Sequence, residues 1–322
     1  MLAGLPSDAN VVHHTTDLLM RLFSFAISAL IATWVSAASI QSRSKGNVSW
    51  EKPTELPIDW HILSQAAGMS KQTYCFDQDA GIQVGDAKLL WSNWFGVVNQ
   101  RVSVFHSDHL GVTAAFEGTT SSILSILHDA NFPQVDPAQR LSSVFPPGVK
   151  LFNGFQDAYL AVADETFHHI QKAMKQYNDT RVSATGHSLG AAMAAIAGPD
   201  FQHHLKDAQV FVYAFGLPRT GNNEWANFID KKLEGRFFFA TNGRDWVPHM
   251  PPRDWGFQHP SGQIWIKKAS STDWAYYPGQ ENHFGPNSIE PKWNFDDHHG
   301  TYFHSYLGQT VGSCPAEVNT SY

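Results

Sequence analysis

An α/β fold, a central and mostly parallel sheet flanked by helices, is what this chain of 322 residues predicts. Two observations carry that expectation. Short apolar runs at 181–185, 209–215 and 236–241 alternate with stretches of helical periodicity at 155–177, 189–197 and 225–233. The run at 209–215 (QVFVYAF) is continuously apolar after Gln209, the pattern of a strand covered on both faces. Alternation of this kind builds a parallel sheet whose C-terminal strand ends carry the site. The second observation is Gly186-His187-Ser188-Leu189-Gly190, a G-x-S-x-G spacing between a strand-like run and a helix-like one.

From the N-terminus, Met20-Arg21 precedes an apolar run at 22–34, then Val35-Ser36-Ala37. A positive start, an apolar centre and small residues before a cut are the parts of a secretion signal, with cleavage after Ala37. The run is too short for a membrane span. Residues 1–19 are polar, with His13, His14 and Asp17, and read as an extension ahead of a true start at Met20. Residues 38–57 read as an extended leader and 58–322 as a single domain.

Within that domain 60–73 is helix-like, and 101–105 with 112–116 form a strand pair about the Ser107-Asp108-His109 turn. Gly198-Pro199 reads as the stop of the helix that starts at Leu189, and a last helical stretch is expected after residues 296–303. Secretion places Cys75 and Cys314 in an oxidising compartment, where they pair and tie the two ends of the domain together. Sequons at Asn47, Asn178 and Asn319 fit the same route.

Charged residues are only 16% of the chain and the net charge is -7, which argues against nucleic acid and against an electrostatic hold on anionic lipid. The histidine doublets, among them His168-His169 and His203-His204, lack a cysteine or carboxylate framework at ligand spacing. No metal or other cofactor is expected.

The glycine spacing has a mechanical reason. A strand that turns sharply into a helix strains the serine backbone, and small neighbours let the chain pass closely. The turn aims the Ser188 hydroxyl at the head of a helix, where backbone N–H groups stabilise an oxyanion. Serine alone is a poor nucleophile and needs a base oriented by a third group. Asp245 follows the run at 236–241 through Asn242-Gly243-Arg244, just past a strand end, where such an acid belongs. For the base, His249, His259, His283, His298, His299 and His304 are candidates, and position does not choose between His298 and His299.

Several motifs in order resemble the secreted class 3 lipases of filamentous fungi, the triacylglycerol lipase family of the α/β-hydrolase fold. Phe116-Glu117-Gly118-Thr119 is similar to the [FY]-x-G-[ST] oxyanion loop, and 149–155 to the approach to the long helix. The GHSLG elbow follows, then Phe215-Gly216-Leu217-Pro218-Arg219. Asn242-Gly243-Arg244-Asp245-Trp246-Val247-Pro248 resembles N-x-x-D-x-V-P. The resemblance covers about residues 75–314 and implies Ser188, Asp245 and a late histidine as a triad. Members with H-x-G-x-Y-F select His298, and those with D-H-x-x-Y-F select His299; the motif fit favours His298. It implies an oxyanion hole from Thr119 and Leu189, and it places the end-to-end disulfide at Cys75 and Cys314. Glu117 stands where an arginine is usual, so a positive neighbour of the loop is missing; Leu217 stands where a polar residue is common.

After the oxyanion loop, Ile123, Leu124, Ile126 and Leu127 fall on one apolar helical face. The resemblance makes this segment a short lid helix that turns its apolar face to lipid. The expected protein is a secreted, extracellular, monomeric ester hydrolase acting on triacylglycerols at the lipid–water interface, with no nucleic-acid partner and no transmembrane span. A feruloyl or general carboxylesterase on the same fold is the alternative.

Overall fold

The computed structural model describes residues 51–96, 100–119, 133–289, 294 and 296–319. The segment 1–37 expected as a signal, Asn47, and the residues Ile123, Leu124, Ile126 and Leu127 expected in a lid lie outside the described residues.

The chain opens with helix α1 (Trp60–Gln72), capped by the Asp59 carboxylate on His61 N. Strands β1 (Gln83–Val84), β2 (Ala87–Phe95), β3 (Gln100–Ser107) and β4 (Gly111–Phe116) follow as an antiparallel meander. Short β5 (Gln134–Val135) and β6 (Leu151–Phe152) precede the long helix α2 (Asn153–Tyr177). Next come β7 (Arg181–His187), α3 (Leu189–His204), β8 (Gln209–Phe215), β9 (Gly221–Asn222), α4 (Asn223–Lys232) and β10 (Phe237–Asn242). The chain continues through β11 (Phe257–Gln258), β12 (Gln263–Ile266), β13 (Trp274–Tyr277), β14 (Gly300–Tyr302) and β15 (Ser305–Leu307).

The main sheet has nine strands in the order β1-β2-β3-β4-β7-β8-β10-β12-β13. Its centre, β4-β7-β8-β10-β12, is parallel, and both flanks are antiparallel. Helices α2, α3 and α4 lie on one face around Phe155, Ile196, Phe201 and Trp225. Helix α1 covers the other with Leu63, Ala66 and Met69, against Phe215, Ile264 and Phe303. Both faces are dry, so the central strands carry apolar residues at successive positions.

Three expectations need correction. Gly198-Pro199 does not stop α3, which runs on to His204. Leu189 to Phe201 is buried all round the helix, and packing overrides the local cost of proline. Gly198 serves contact, since a Cβ there would come within 2.3 Å of Val212 on β8. The last element is the hairpin β14–β15 and not a helix; Phe303 and His304 take left-handed φ of 45° and 75° in its two-residue turn. The last residues of the 38–57 segment also pack on the domain, where Thr54 bridges Tyr276 and Leu56 joins the α1-side core.

Cys75 and Cys314 are bonded, 239 residues apart in sequence. A link closing so long a loop removes much of the unfolded chain's entropy. Cys314→Ser is expected to lower the unfolding free energy by about 2–5 kcal/mol, read from urea unfolding at neutral pH.

Candidate active site

Ser188 sits between β7 and α3 with φ 60° and ψ -124°, a conformation a non-glycine residue holds only under constraint, at a cost of about 1–3 kcal/mol. Its N–H donates to Phe215 O at 2.9 Å, pinning the turn to β8. The flanking glycines allow the approach. A Cβ on Gly190 would lie 2.1 Å from Phe116 O, and one on Gly186 would lie 2.3 Å from Gly190 O.

Asp245 follows β10, and its N–H donates to Asn242 O at 2.9 Å. One carboxylate oxygen accepts from Val247 N at 2.9 Å. The other lies 2.8 Å from His298 Nδ1 and 3.4 Å from the Tyr302 hydroxyl. A carboxylate only accepts, so Nδ1 carries the proton and Nε2 is left to accept. His298 Nε2 stands 2.9 Å from Ser188 Oγ. All three side chains are buried, with Ser188 1% exposed and Asp245 and His298 at 0%.

The loop that presents His298 is stitched to the loop that presents Asp245. The Asp297 carboxylate accepts from Arg244 N at 2.7 Å and from Asn294 Nδ2 at 2.9 Å. Asn242 Nδ2 donates to Asp297 O at 3.0 Å, so Asp245 and His298 share one scaffold. Sequence reading missed Asn242, Asp297 and Tyr302, because hydrogen bonds between distant loops leave no periodic signature. His299 instead faces Gln309, with Nδ1 at 3.2 Å from the amide. His259 is buried, its ring bonded to Pro248 O at 2.7 Å, and burial pushes it down to about 4.

Thr119 and Leu189 flank the serine. A Cβ on Gly118 would stand 3.1 Å from Ser188 Cβ, which sets the loop against that serine. Gln100 Nε2 donates to Thr119 Oγ1 at 3.3 Å, leaving the threonine hydroxyl hydrogen to point elsewhere. Leu189 is the first residue of α3, whose opening N–H groups lack intrahelical acceptors. The positive neighbour thought missing beside Glu117 comes from the adjacent strand, where Arg101 Nε is 4.0 Å from Glu117 Oε2. Even so, burial raises the Glu117 carboxyl to about 7, with Arg101 opposing. Among the described residues no cluster of three His, Cys, Asp or Glu could hold a metal, and no helix is long and apolar enough to cross a membrane.

This constellation at the C-terminal ends of a parallel sheet defines a serine hydrolase of the α/β-hydrolase fold. Residues 113–255 match the family model of the class 3 lipases. A secreted mono- and diacylglycerol lipase of Malassezia restricta is 58% identical over 86% of this chain and 92% of its own length. One from Malassezia globosa is 45% identical over 88% of this chain and 93% of its own. Among solved structures, the lipase of Rhizopus microsporus var. chinensis superposes with a TM-score of 0.70 at 26% identity, covering 85% of this chain and all of its own. A triacylglycerol lipase described as having a serine protease triad at its catalytic centre gives 0.68 at 27%, over 81% and 99% of the two chains. The chain belongs to the class 3 lipase family. It is a fungal-type, secreted carboxylic ester hydrolase.

A carboxyl whose folded pKa is raised costs stability as pH climbs from its unfolded value, near 4.5, through about 7, and nothing below. Glu117→Gln removes that penalty. Relative to the parent it is expected to gain stability as pH rises from 4.5 to 8, by at most about 3 kcal/mol, read from melting temperatures across that range.

Proposed function

We propose that Ser188 is the nucleophile, His298 the general base and Asp245 its orienting acid in acyl transfer from acylglycerol esters to water. The buried chain Ser188–His298–Asp245, with contacts of 2.9 and 2.8 Å, carries this reading. His298 Nε2 takes the hydroxyl proton as Oγ attacks the ester carbonyl. Asp245 holds the tautomer and stabilises the imidazolium. The N–H groups of Thr119 and Leu189, with the Thr119 hydroxyl, receive the oxyanion; each such donor is worth about 2.7–4 kcal/mol. His298 then returns the proton to the leaving alcohol, and water releases the acyl group by the same steps reversed.

The substrates are acylglycerols presented at a lipid–water interface. The triacylglycerol lipases of filamentous fungi offer one parallel, and the names of the Malassezia relatives favour the mono- and diacylglycerols. The apolar set Ile123, Leu124, Ile126 and Leu127 is the lid, and the enzyme acts as a monomer. Asn178, exposed in a left-handed C-cap at the end of α2, is the described sequon best placed for a glycan; Asn47 and Asn319 are further sequons.

Ser188→Ala and His298→Ala are each expected to lower hydrolysis of tributyrin by about 10⁴-fold or more, whereas His299→Ala keeps activity within about tenfold. Loss with His299→Ala and retention with His298→Ala would reverse the assignment. Initial rates on tri-, di- and monoacylglycerols of one chain length, beside a feruloyl ester, test the substrate. Preference for the feruloyl ester, with smooth saturation through the solubility limit of tributyrin, would replace lipase by esterase.

A further inference from the structure

Behind the triad lies a second buried chain of polar groups that the acyl-transfer steps do not use. Gly118 N–H, one residue before Thr119, donates to the Tyr74 hydroxyl at 3.1 Å. That hydroxyl is 3.0 Å from His187 Nδ1, and His187 Nε2 is 3.0 Å from the backbone carbonyl of His298. Tyr74 is 3% exposed, and His187 and His298 are fully buried.

Chemistry fixes every proton along this line. The carbonyl of His298 can only accept, so His187 carries its hydrogen on Nε2. Nδ1 of a neutral ring can then only accept, so the Tyr74 hydroxyl donates to it. The oxygen of that hydroxyl is left to accept from Gly118. Burial, together with His298 and His299 nearby, holds His187 far below the ordinary histidine range, and burial holds Tyr74 well above the ordinary tyrosine range. Neither group titrates near neutrality, so the order of protons is permanent.

Packing makes the line stiff as well as ordered. Tyr74 closes the turn after α1, its N–H donating to Lys71 O at 3.0 Å, and the neighbouring Cys75 is held by the bond to Cys314. A Cβ on Gly118 would fall 2.3 Å from the Tyr74 hydroxyl and 2.4 Å from His187 O, so the loop is drawn in as far as a glycine permits. The rings of His187 and His298 lie 4.6 Å apart between centroids. Here the variable position of the elbow is filled by a side chain that can accept at one end and donate at the other. A leucine or serine would satisfy the turn but not both contacts.

We infer that Tyr74 and His187 are positioning residues that tie the oxyanion loop to the backbone of the general base, setting the distance between proton transfer and oxyanion stabilisation. The inference rests on the assignment of Ser188, His298 and the Thr119 loop made above. Neither residue touches substrate. The line acts through Gly118 on Thr119 and through a main-chain carbonyl on His298, so its loss is felt in the transition state more than in ground-state binding.

The test uses the secreted full-length enzyme on a soluble short-chain p-nitrophenyl ester. Tyr74→Phe keeps the ring and deletes the hydroxyl. It is expected to lower kcat about 10- to 100-fold with KM within about twofold. His187→Gln, which can accept from Tyr74 and donate to the carbonyl, is expected to keep activity within about tenfold of the parent, and His187→Leu to lose more than 100-fold. In the double variant Tyr74→Phe with His187→Leu, kcat is expected to match His187→Leu alone, because one broken line cannot be broken twice. Nitrogen NMR of histidine-labelled parent enzyme is expected to show one neutral Nε2–H ring that does not titrate between pH 5 and 8, and to show the same tautomer in Tyr74→Phe, where the His298 carbonyl still accepts. Unchanged kcat in folded Tyr74→Phe, multiplicative losses in the double variant, or a titrating His187 would each overturn the inference. Failure of the triad assignment is separate: it shows as residual turnover in Ser188→Ala.

Discussion

The contact on which the rest depends is the one between the head of α3 and the end of β4. Phe116 O reaches so near Gly190 that a single methyl carbon would collide with it. That approach brings the Thr119 loop and Ser188 together, because both hang from the ends of adjacent parallel strands. It also explains the alanine-rich start of α3 and Gly198 further along, since a helix this close to a sheet has no room for long side chains. The strained backbone of Ser188 is the local cost. It persists because β7, β8 and α3 all over-determine it.

Much of this was legible in the sequence. Residues of the parallel centre announce themselves because burial on both faces makes β8 apolar after Gln209 and β10 apolar up to Ala240. The elbow announces itself because close approach permits only glycine. What stayed hidden has physical reasons. Strand β2 is half-exposed and carries an irregularity between Leu89 and Trp91, so its alternation breaks. Strands β12 and β13 are four residues each, too short for a period to show. That His298, and not His299, meets Asp245 and Ser188 is a matter of loop path that spacing does not encode. Glu117 looked like a lost charge only because its partner Arg101 lies across a strand pair.

Electrostatics in the site follow from dryness. Ser188, Asp245 and His298 are shut from water, so each charged or developing group must be met by a fixed dipole. Asp245 is met by Val247 N and Tyr302 as well as by the imidazole, which keeps its carboxylate from seeking solvent. Asp297 does the same for the loop beneath the base. Elsewhere Arg219 is buried against Glu281 and donates to the carbonyls of His249 and Pro251, which fixes the chain leaving Asp245. The polar network outside the triad is therefore scaffold for orientation.

The disulfide has a consequence beyond the unfolded state. Cys75 adjoins Tyr74, and Lys71, one turn earlier, holds the carbonyls of Gln309 and Val311 on the C-terminal segment. Closing the bond therefore seats the end of the polypeptide against the very turn that reaches the oxyanion loop. Maturation of the covalent framework and assembly of the reactive centre become one event, completed where the redox environment allows sulfurs to join. A newly made chain in a reducing compartment would hold its serine without that buttress.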